Sequence, residues 1–119
     1  MFVSVIDLQI GQGDADTLLS RIESDLVPIY QDAEGFVAYF GVKQSDTSVE
    51  TIRIFEDEES IEAAVEATKE KTDQIIQDLN LTPSEHASAD ATIAVIAGKA
   101  ATRSKYRASK SQEGRMELG

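Results

Sequence analysis

The chain has 119 residues, a length that suits one domain, and a hydrophobic content of 41% allows a modest core. It contains no cysteine, which excludes disulfides, thiolate catalysis, zinc fingers and iron–sulfur clusters. The formal net charge of −11 is uneven, since residues 1–98 hold 20 acidic and 5 basic side chains and residues 99–119 hold 2 and 6. An acidic body argues against a nucleic-acid partner, because affinity for duplexes comes mainly from Lys and Arg on phosphate.

The first third of the chain has the pattern of one strand followed by one helix. Residues 2–10 are predicted as a strand, and residues 15–31 carry Leu, Ile and Tyr at helical spacing. Pro28 lies inside the helical pattern, so we expect a kink or an irregular last turn. Gly35 follows, where a glycine suits a left-handed or tight turn.

The middle of the chain predicts a hairpin followed by a second helix. Residues 36–43 and 49–56 are rich in aromatic and β-branched side chains, and a short polar link joins them. The second helix is predicted to start near Glu58 with Asp57 as its N-cap, and to end at Asn80.

The last part of the chain changes character after one more predicted strand. Residues 88–97 alternate in a way that predicts this strand. Residues 99–119 hold few large apolar side chains, so we expect a disordered or loosely docked basic tail beside a domain at residues 1–98. No apolar run approaches the roughly 20 residues of a membrane span, and the start of the chain does not resemble a signal peptide, so we expect a cytoplasmic protein without a membrane partner.

The order β-α-β-β-α-β predicts an α+β protein, a ferredoxin-like sandwich in which helices cover one face of the sheet. A bare face in water should be polar at alternate positions, yet both faces of the predicted strands are apolar. An exposed apolar sheet usually marks an interface. We therefore predict a homodimer in which two sheets face each other, a dimeric α/β barrel.

Two segments resemble the antibiotic-biosynthesis monooxygenase-like (ABM) domain of the dimeric α/β barrel superfamily. These are Gly-Phe-Val-Ala-Tyr-Phe at residues 35–40 and Thr-Ile-Arg-Ile-Phe-Glu-Asp at residues 51–57, the latter followed by an acidic, Ala-rich helix. The resemblance spans residues 2 to about 98. It implies a pocket between sheet and helices, and its better-known members oxidise aromatic polyketides without metal or flavin, or degrade haem. This chain has no Trp, and its second helix has no His, in contrast to the pocket residues common in those members.

Aromatic side chains are the first candidates to line a ligand pocket. Tyr30 and Tyr39 could donate a hydrogen bond to a ligand carbonyl while giving aromatic contact, and ordinary packing is their alternative role. Tyr39 faces either the pocket or a dimer partner. Phe55 is placed in the same region, with core packing as its alternative.

Two basic side chains complete the candidates. Arg53 is the one cation in the interior of a predicted strand, and if it faces inward it needs an acid, a carbonyl or an anionic ligand. A structural pair with Asp7 is the alternative. His86 could act as a base near neutral pH, or could be a solvated residue of a polar linker before the last strand.

The acidic run at residues 56–59 resembles a hard-cation site, because oxygen ligands suit Ca²⁺ and Mg²⁺. It lacks the spaced carboxylates of a calcium loop, and a capped helix start explains it without metal. We expect no metal and no bound cofactor.

Three functional hypotheses follow. The chain binds a hydrophobic or aromatic small molecule and oxidises it without a cofactor; or it is a non-enzymatic binding or stress-related protein of the same fold; or it is a structural dimer whose basic tail docks a protein partner. Fold alone does not decide among them.

Overall fold

The computed structural model describes residues 1–97, so the predicted basic tail at residues 99–119 lies outside the described residues. Strands and helices alternate in the predicted β-α-β-β-α-β order, with the first helix broken into three pieces. The elements are β1 (Phe2–Ile10), α1 (Ala15–Arg21), a π-helical segment (Ile22–Leu26), α2 (Val27–Asp32), β2 (Phe36–Ser45), β3 (Ser48–Phe55), α3 (Glu58–Leu79) and β4 (Leu81–Asp90).

The four strands form one antiparallel sheet in the order β2-β3-β1-β4. β1 pairs with β3 on one side and with β4 on the other, and β2 pairs with β3. This order, with helices crossing between the halves, confirms the predicted ferredoxin-like α+β fold.

The two faces of the sheet differ in burial. Alternate residues of β1 and β3 are buried beneath the helices, whereas their neighbours along each strand are half-buried on the other side, called the open face below. The open face carries Val3, Val5, Ile52 and Ile54, together with Ala38, Phe40 and Val42 of β2. The predicted apolar character of the second face is therefore confirmed. The core between sheet and helices includes Phe2, Leu18, Ile22, Leu26, Tyr30, Val49, Phe55, Ile61, Ile75 and Leu79.

The first helix is irregular at the turn that precedes Pro28. The backbone N–H of Val27 donates to the carbonyl of Ile22, five residues back, so this turn is π-helical. In a regular α-helix, Pro28 would lack the N–H that bonds Ser24, and its ring would clash with that carbonyl. The wider turn accommodates the proline, and the expected irregularity therefore falls before Pro28 rather than in the last turn.

The predicted position of the last strand is wrong. β4 occupies Leu81–Asp90, seven residues earlier than the predicted strand at residues 88–97. The helix ends at Asn80 in a left-handed conformation, as predicted, and the chain turns at once to pair Leu81 with Ile10. Pairing with β1 ends where Phe2 lies opposite Asp90, and the Ala91 N–H donates one further hydrogen bond to the Met1 carbonyl at 2.7 Å.

Polar composition hid this strand from the sequence analysis. Leu81–Asp90 contains Pro83, and almost all of its residues are exposed. An edge strand tolerates a proline and polar side chains, because one of its edges and part of its surface face water.

Gly35 lies at a crowded junction between α2, β2 and α3. Its φ of +82° falls in the left-handed region, and its carbonyl accepts a hydrogen bond from Glu56 N–H at 2.8 Å. A Cβ at this position would meet Ser60 Oγ and lie 2.7 Å from Ser60 Cβ. Ser60 is itself held in the first turn of α3, where its N–H donates to the N-cap Asp57 at 2.8 Å, so the predicted cap is confirmed.

We expect Gly35→Ala to lower the free energy of unfolding by roughly 1–2 kcal/mol or more, since the left-handed conformation penalises any Cβ and Ser60 blocks this one. Urea unfolding measures the change. Glu34→Ala, an exposed neighbour, is the control and should stay within about 0.5 kcal/mol of the original chain. Equal stability of the Gly35→Ala and Glu34→Ala variants would contradict the prediction.

Candidate ligand site

Four of the five predicted pocket residues meet on the helix side of the sheet. Arg53 of β3 lies opposite Tyr39 of β2 on one side and Ser4 of β1 on the other. Tyr30 reaches this group from α2, and Phe55 lies two residues further along β3. This set of residues is called the Arg53 cluster below.

Arg53 is held by hydroxyl groups of its neighbours. Its Nη1 donates to the hydroxyl oxygen of Tyr30 at 3.1 Å, and its Nη2 donates to Ser4 Oγ at 3.0 Å. The two contacts come from different elements, β1 and α2, so the guanidinium joins the sheet to the first helix.

The hydrogen-bond chain continues into α3. Tyr30 and Thr68 share a hydrogen bond of 3.4 Å between their hydroxyls. Thr68 Oγ1 donates to the backbone carbonyl of Ala64 or Val65, both at 3.1 Å, which uses its single hydrogen. Tyr30 is therefore the donor to Thr68, and its oxygen accepts from Arg53. The direction of donation runs from the guanidinium through Tyr30 to the helix backbone.

Aromatic rings surround this polar chain. The ring centroids of Tyr30 and Tyr39 are 5.3 Å apart, and those of Tyr30 and Phe55 are 6.1 Å apart in an edge-on arrangement. Phe36 packs edge-on against Phe55 at 5.6 Å. Such separations are typical of favourable aromatic pairs. Tyr30 and Phe55 are buried and serve the core, whereas Tyr39 and Arg53 are half-buried, so the cluster reaches the surface on their side.

Burial raises the pKa of Tyr39 to about 12, and the neighbouring Tyr30 adds to the rise. The positive charge of Arg53 and a hydrogen bond with Thr51 oppose it. Tyr39 is therefore a neutral phenol at physiological pH. It can give or accept a hydrogen bond, but it does not serve as a base.

The structural pair expected between Arg53 and Asp7 does not form. Asp7 lies opposite Glu50 in the sheet, and because Glu50 and Arg53 are three residues apart on one strand, they point to opposite faces. The Asp7 carboxylate instead accepts a hydrogen bond from Gln9 at 2.8 Å. Arg53 faces inward, and within residues 1–97 its Nε is buried and has no hydrogen-bond partner.

His86 lies apart from the other candidates. It belongs to β4, at the point where the register with β1 shifts, so its assignment to a linker is wrong. Its Nδ1 lies 3.2 Å from Glu50 Oε2, which places it on the open face. It does not join the Arg53 cluster, because the sheet separates the two.

Two residues that hydrogen-bond within this group, Ser4 and Thr68, were not among the predicted site residues. Ser4 and Thr68 are buried polar side chains at positions that otherwise carry apolar residues. Ser4 stands in an apolar strand and Thr68 in the apolar stripe of α3. A hydroxyl at such a position was the available signal, since a buried hydroxyl needs a hydrogen-bond partner.

The described residues offer no metal centre. Within residues 1–97, no group of three or more His, Asp or Glu side chains is arranged to hold a metal ion. No helix in that part of the chain is long and apolar enough to cross a membrane.

A surface depression of about 380 Å³ lies elsewhere, and none of the five predicted residues contributes to it. Its lining comes from the first helix and comprises Asp16, Thr17, Ser20, Arg21 and Ser24.

Solved structures with a similar fold include two oxygenases and a ferredoxin-like dimer. The chain is similar to SnoaB, a cofactor-independent oxygenase from Streptomyces nogalater, with a TM-score of 0.62 and 14% identity over 76% of this chain and 91% of that one. It is also similar to a monooxygenase from the gene ActVA-Orf6 of Streptomyces coelicolor, crystallised with the ligand nanaomycin D, with a TM-score of 0.54 and 15% identity over 79% of this chain and 92% of that one.

A third similar structure is a dimeric ferredoxin-like protein from an uncultured marine organism, with a TM-score of 0.56 and 10% identity over 81% of this chain and 99% of that one. The sequence itself matches no protein-family model and no curated protein. At these identities the likeness is one of fold, and at that level it confirms the resemblance to ABM-like proteins.

The raised pKa of Tyr39 predicts a specific loss of stability in alkali. The folded pKa of about 12 exceeds the ordinary value of 10.0, so the neutral phenol contributes stability that is complete below pH 10 and is lost as pH rises towards 12. Between pH 9 and 11.5, the free energy of unfolding should fall by on the order of 2 kcal/mol more in the original chain than in Tyr39→Phe. Urea unfolding at each pH measures this. Parallel curves for the two proteins would contradict the raised pKa.

Proposed function

We propose that this chain forms a homodimer through the open face of its sheet and binds a hydrophobic, aromatic small molecule at the Arg53 cluster. One observation carries the proposal: Arg53, Tyr30 and Tyr39 bring hydrogen-bonding groups and aromatic rings together on the helix side of the sheet. A binding site for a small aromatic compound typically combines an apolar lining with a few placed polar groups.

The partial exposure of the Arg53 cluster on one side supports entry of a ligand from that side. Tyr39 and Arg53 are the accessible members, and Tyr39 belongs to the edge strand β2. Displacing an edge-strand side chain disturbs less packing than opening the buried contact between Tyr30 and Phe55. A planar ring inserted at Tyr39 would find aromatic contact together with the hydroxyl and guanidinium donors.

The proposed activity is oxidation of the bound ligand by O₂ without a cofactor. In an anthrone, the methylene group between two aromatic rings becomes a carbonyl. One oxygen atom of O₂ enters that carbonyl, and the two hydrogens leave with the other oxygen as water. The four electrons lost by the methylene carbon reduce O₂ completely. A fixed positive charge beside the ring would stabilise the negative charge that develops as a proton leaves.

The exposed apolar side chains support the homodimer. Phe40 is 52% exposed and Val42 is 43% exposed, and both lie on the open face of β2. They continue the apolar surface formed by Ile52 and Ile54 on the neighbouring strand. A second copy that packs its own open face against this one would cover both surfaces, as in a dimeric α/β barrel.

A non-enzymatic binding protein is the second candidate, and the chemistry of the cluster favours it. Tyr39 holds its proton far above neutral pH, and His86, the only histidine of the chain, lies on the other face. Neither is placed to take a proton from a ligand at the cluster. In this case the cluster would retain a ligand without transforming it.

The proposed dimer is tested by a substitution that introduces a negative charge on the open face. Phe40→Asp should convert a dimer into a monomer at micromolar concentration, because two carboxylates would be desolvated at the interface. Sedimentation velocity measures the change. Val65→Asp is the matched control, since Val65 is 41% exposed but lies on α3, away from the sheet face. A monomeric original chain, or equal dissociation of both variants, would contradict the proposed dimer.

The oxidation is tested by oxygen uptake with anthrone. The dimer should consume O₂ and form anthraquinone faster than heat-denatured protein, which corrects for spontaneous oxidation. Arg53→Met should lower the enzymatic rate on the order of 100-fold if the guanidinium stabilises the developing charge. Binding of anthrone without uptake above the denatured control would favour the non-enzymatic candidate instead.

A further inference from the structure

We infer that the ligand of the Arg53 cluster carries an ionised oxygen on or next to its aromatic ring, as in an aromatic carboxylate, phenolate or enolate. The guanidinium of Arg53 would bind that oxygen. This inference rests on the proposed function, because it specifies the chemical class of ligand at the same site.

The positive charge of Arg53 has no negative partner in the described part of the chain. Its hydrogen-bond acceptors there are two neutral hydroxyls, those of Tyr30 and Ser4. Of the other four basic residues there, Arg21 pairs with Asp25 and Asp78, Lys43 with Asp16 and Asp46, and Lys69 with Asp73, whereas Lys71 is exposed on α3 and makes no ion pair within residues 1–97.

This contrast is informative because the body of the protein is rich in acids. Residues 1–98 offer 20 carboxylates for 5 bases, so an acid beside Arg53 would be easy to supply. The sequence instead places hydroxyls there and sends the nearest strand carboxylates, Asp7 and Glu50, to the open face. A partly buried charge without a partner is costly, and natural proteins retain one mainly where a ligand or a reaction uses it.

The geometry of the guanidinium gives the anion a definite place. Nη1 and Nη2 are each occupied by one hydroxyl, whereas the buried Nε–H has no acceptor within residues 1–97. Nε and the adjacent Nη2 form one edge of the planar fork, and this edge matches the two oxygens of a carboxylate. An ionised ligand oxygen at this edge would both accept a hydrogen bond from the Nε–H and neutralise the positive charge of the guanidinium. A neutral acceptor would satisfy only the N–H.

The surrounding rings fix the rest of the ligand. Tyr39, whose ring centroid lies 5.3 Å from that of the buried Tyr30, stands beside the guanidinium and offers aromatic surface to a flat molecule. The protein as a whole repels anions, since its net charge is −11. A preference for an anionic ligand must therefore come from a nearby cation, because the overall negative charge of the protein opposes it. Such a preference would indicate a role for Arg53.

The test compares 1-hydroxy-2-naphthoate with 1-hydroxy-2-naphthamide, which share shape and differ in charge. Binding to the full-length protein at pH 7 and low salt is measured by isothermal titration calorimetry. We expect the naphthoate to bind at least 10-fold more tightly, since a hydrogen bond to a charged group exceeds a neutral one. Arg53→Met should abolish the preference while changing naphthamide affinity by less than about threefold, and Arg53→Lys should keep part of it. Lys43→Met, which removes a surface cation of β2 on the same face of the sheet, is the matched control and should keep the whole preference.

The outcomes separate the inference from the function on which it rests. Equal affinity for acid and amide in the original chain would overturn the anion while leaving aromatic binding in place. A preference that survives Arg53→Met, or disappears in Lys43→Met, would also overturn it, because the charge would then act from elsewhere. Absence of binding by both compounds would contradict the proposed aromatic site itself. Circular dichroism of each variant establishes folding, and the comparison of acid with amide in the original chain stands even if Arg53→Met fails to fold.

Discussion

Backbone pairing along both edges of β1 is the constraint on which the rest of the molecule depends. One edge holds β3 in a register that places Ser4 beside Arg53, and the other holds β4 in a register that places Phe2 beside Asp90. The first pairing assembles the polar part of the candidate site. The second places the last residue of β4, Asp90, opposite the first residue of β1.

Because successive residues of β3 face opposite sides of the sheet, its polar and aromatic side chains lie on the helix side and its aliphatic side chains lie on the open face. Thr51, Arg53 and Phe55 point to the helices, and Ile52 and Ile54 point to the open face. The helix side combines hydroxyls, a cation and aromatic rings, while the other side is mainly aliphatic. Since each strand residue faces the side opposite to its neighbours, a recognition site and an apolar surface can be built from the same eight residues without sharing side chains.

Elements that bury a stripe of apolar side chains were predicted correctly from the sequence, whereas the strand formed mainly by polar residues was not. β1, the hairpin, and α3 with its cap at Asp57 have regular apolar spacing and clear boundary residues, and all were correctly expected. β4 was misplaced because polar residues form it by pairing with β1, whereas the apolar alternation lies mostly beyond Asp90, where that pairing ends. Tertiary context overrides β-propensity in this way, since a strand needs a neighbour.

In the candidate site, too, some residues were predicted from the sequence and others were not. Tyr30, Tyr39, Arg53 and Phe55 were all predicted candidates, but alternation left open which side Tyr39 and Arg53 face, and the strand register resolves it. Ser4 and Thr68 were not, since a hydroxyl in an apolar stripe gives no direction by itself. His86 was placed wrongly because its position followed from the misplaced strand. Pairing of Arg53 with Asp7 could be rejected only when the register was known.

The π-helical turn determines the direction in which the side chains that follow it point, and it keeps the apolar side chains of the first helix facing the sheet. Leu18, Ile22, Leu26 and Tyr30 are all buried, and they recur every fourth residue. In a continuous α-helix of 3.6 residues per turn, three such steps would carry the stripe about 120° around the axis and turn Tyr30 away from the sheet. One additional residue in the wide turn takes up roughly 100° of that drift. Tyr30 therefore reaches Arg53 through a change of helical pitch, and a chain one residue shorter at this turn would need no wide turn, since a regular α-helix would then present the same ring to the sheet.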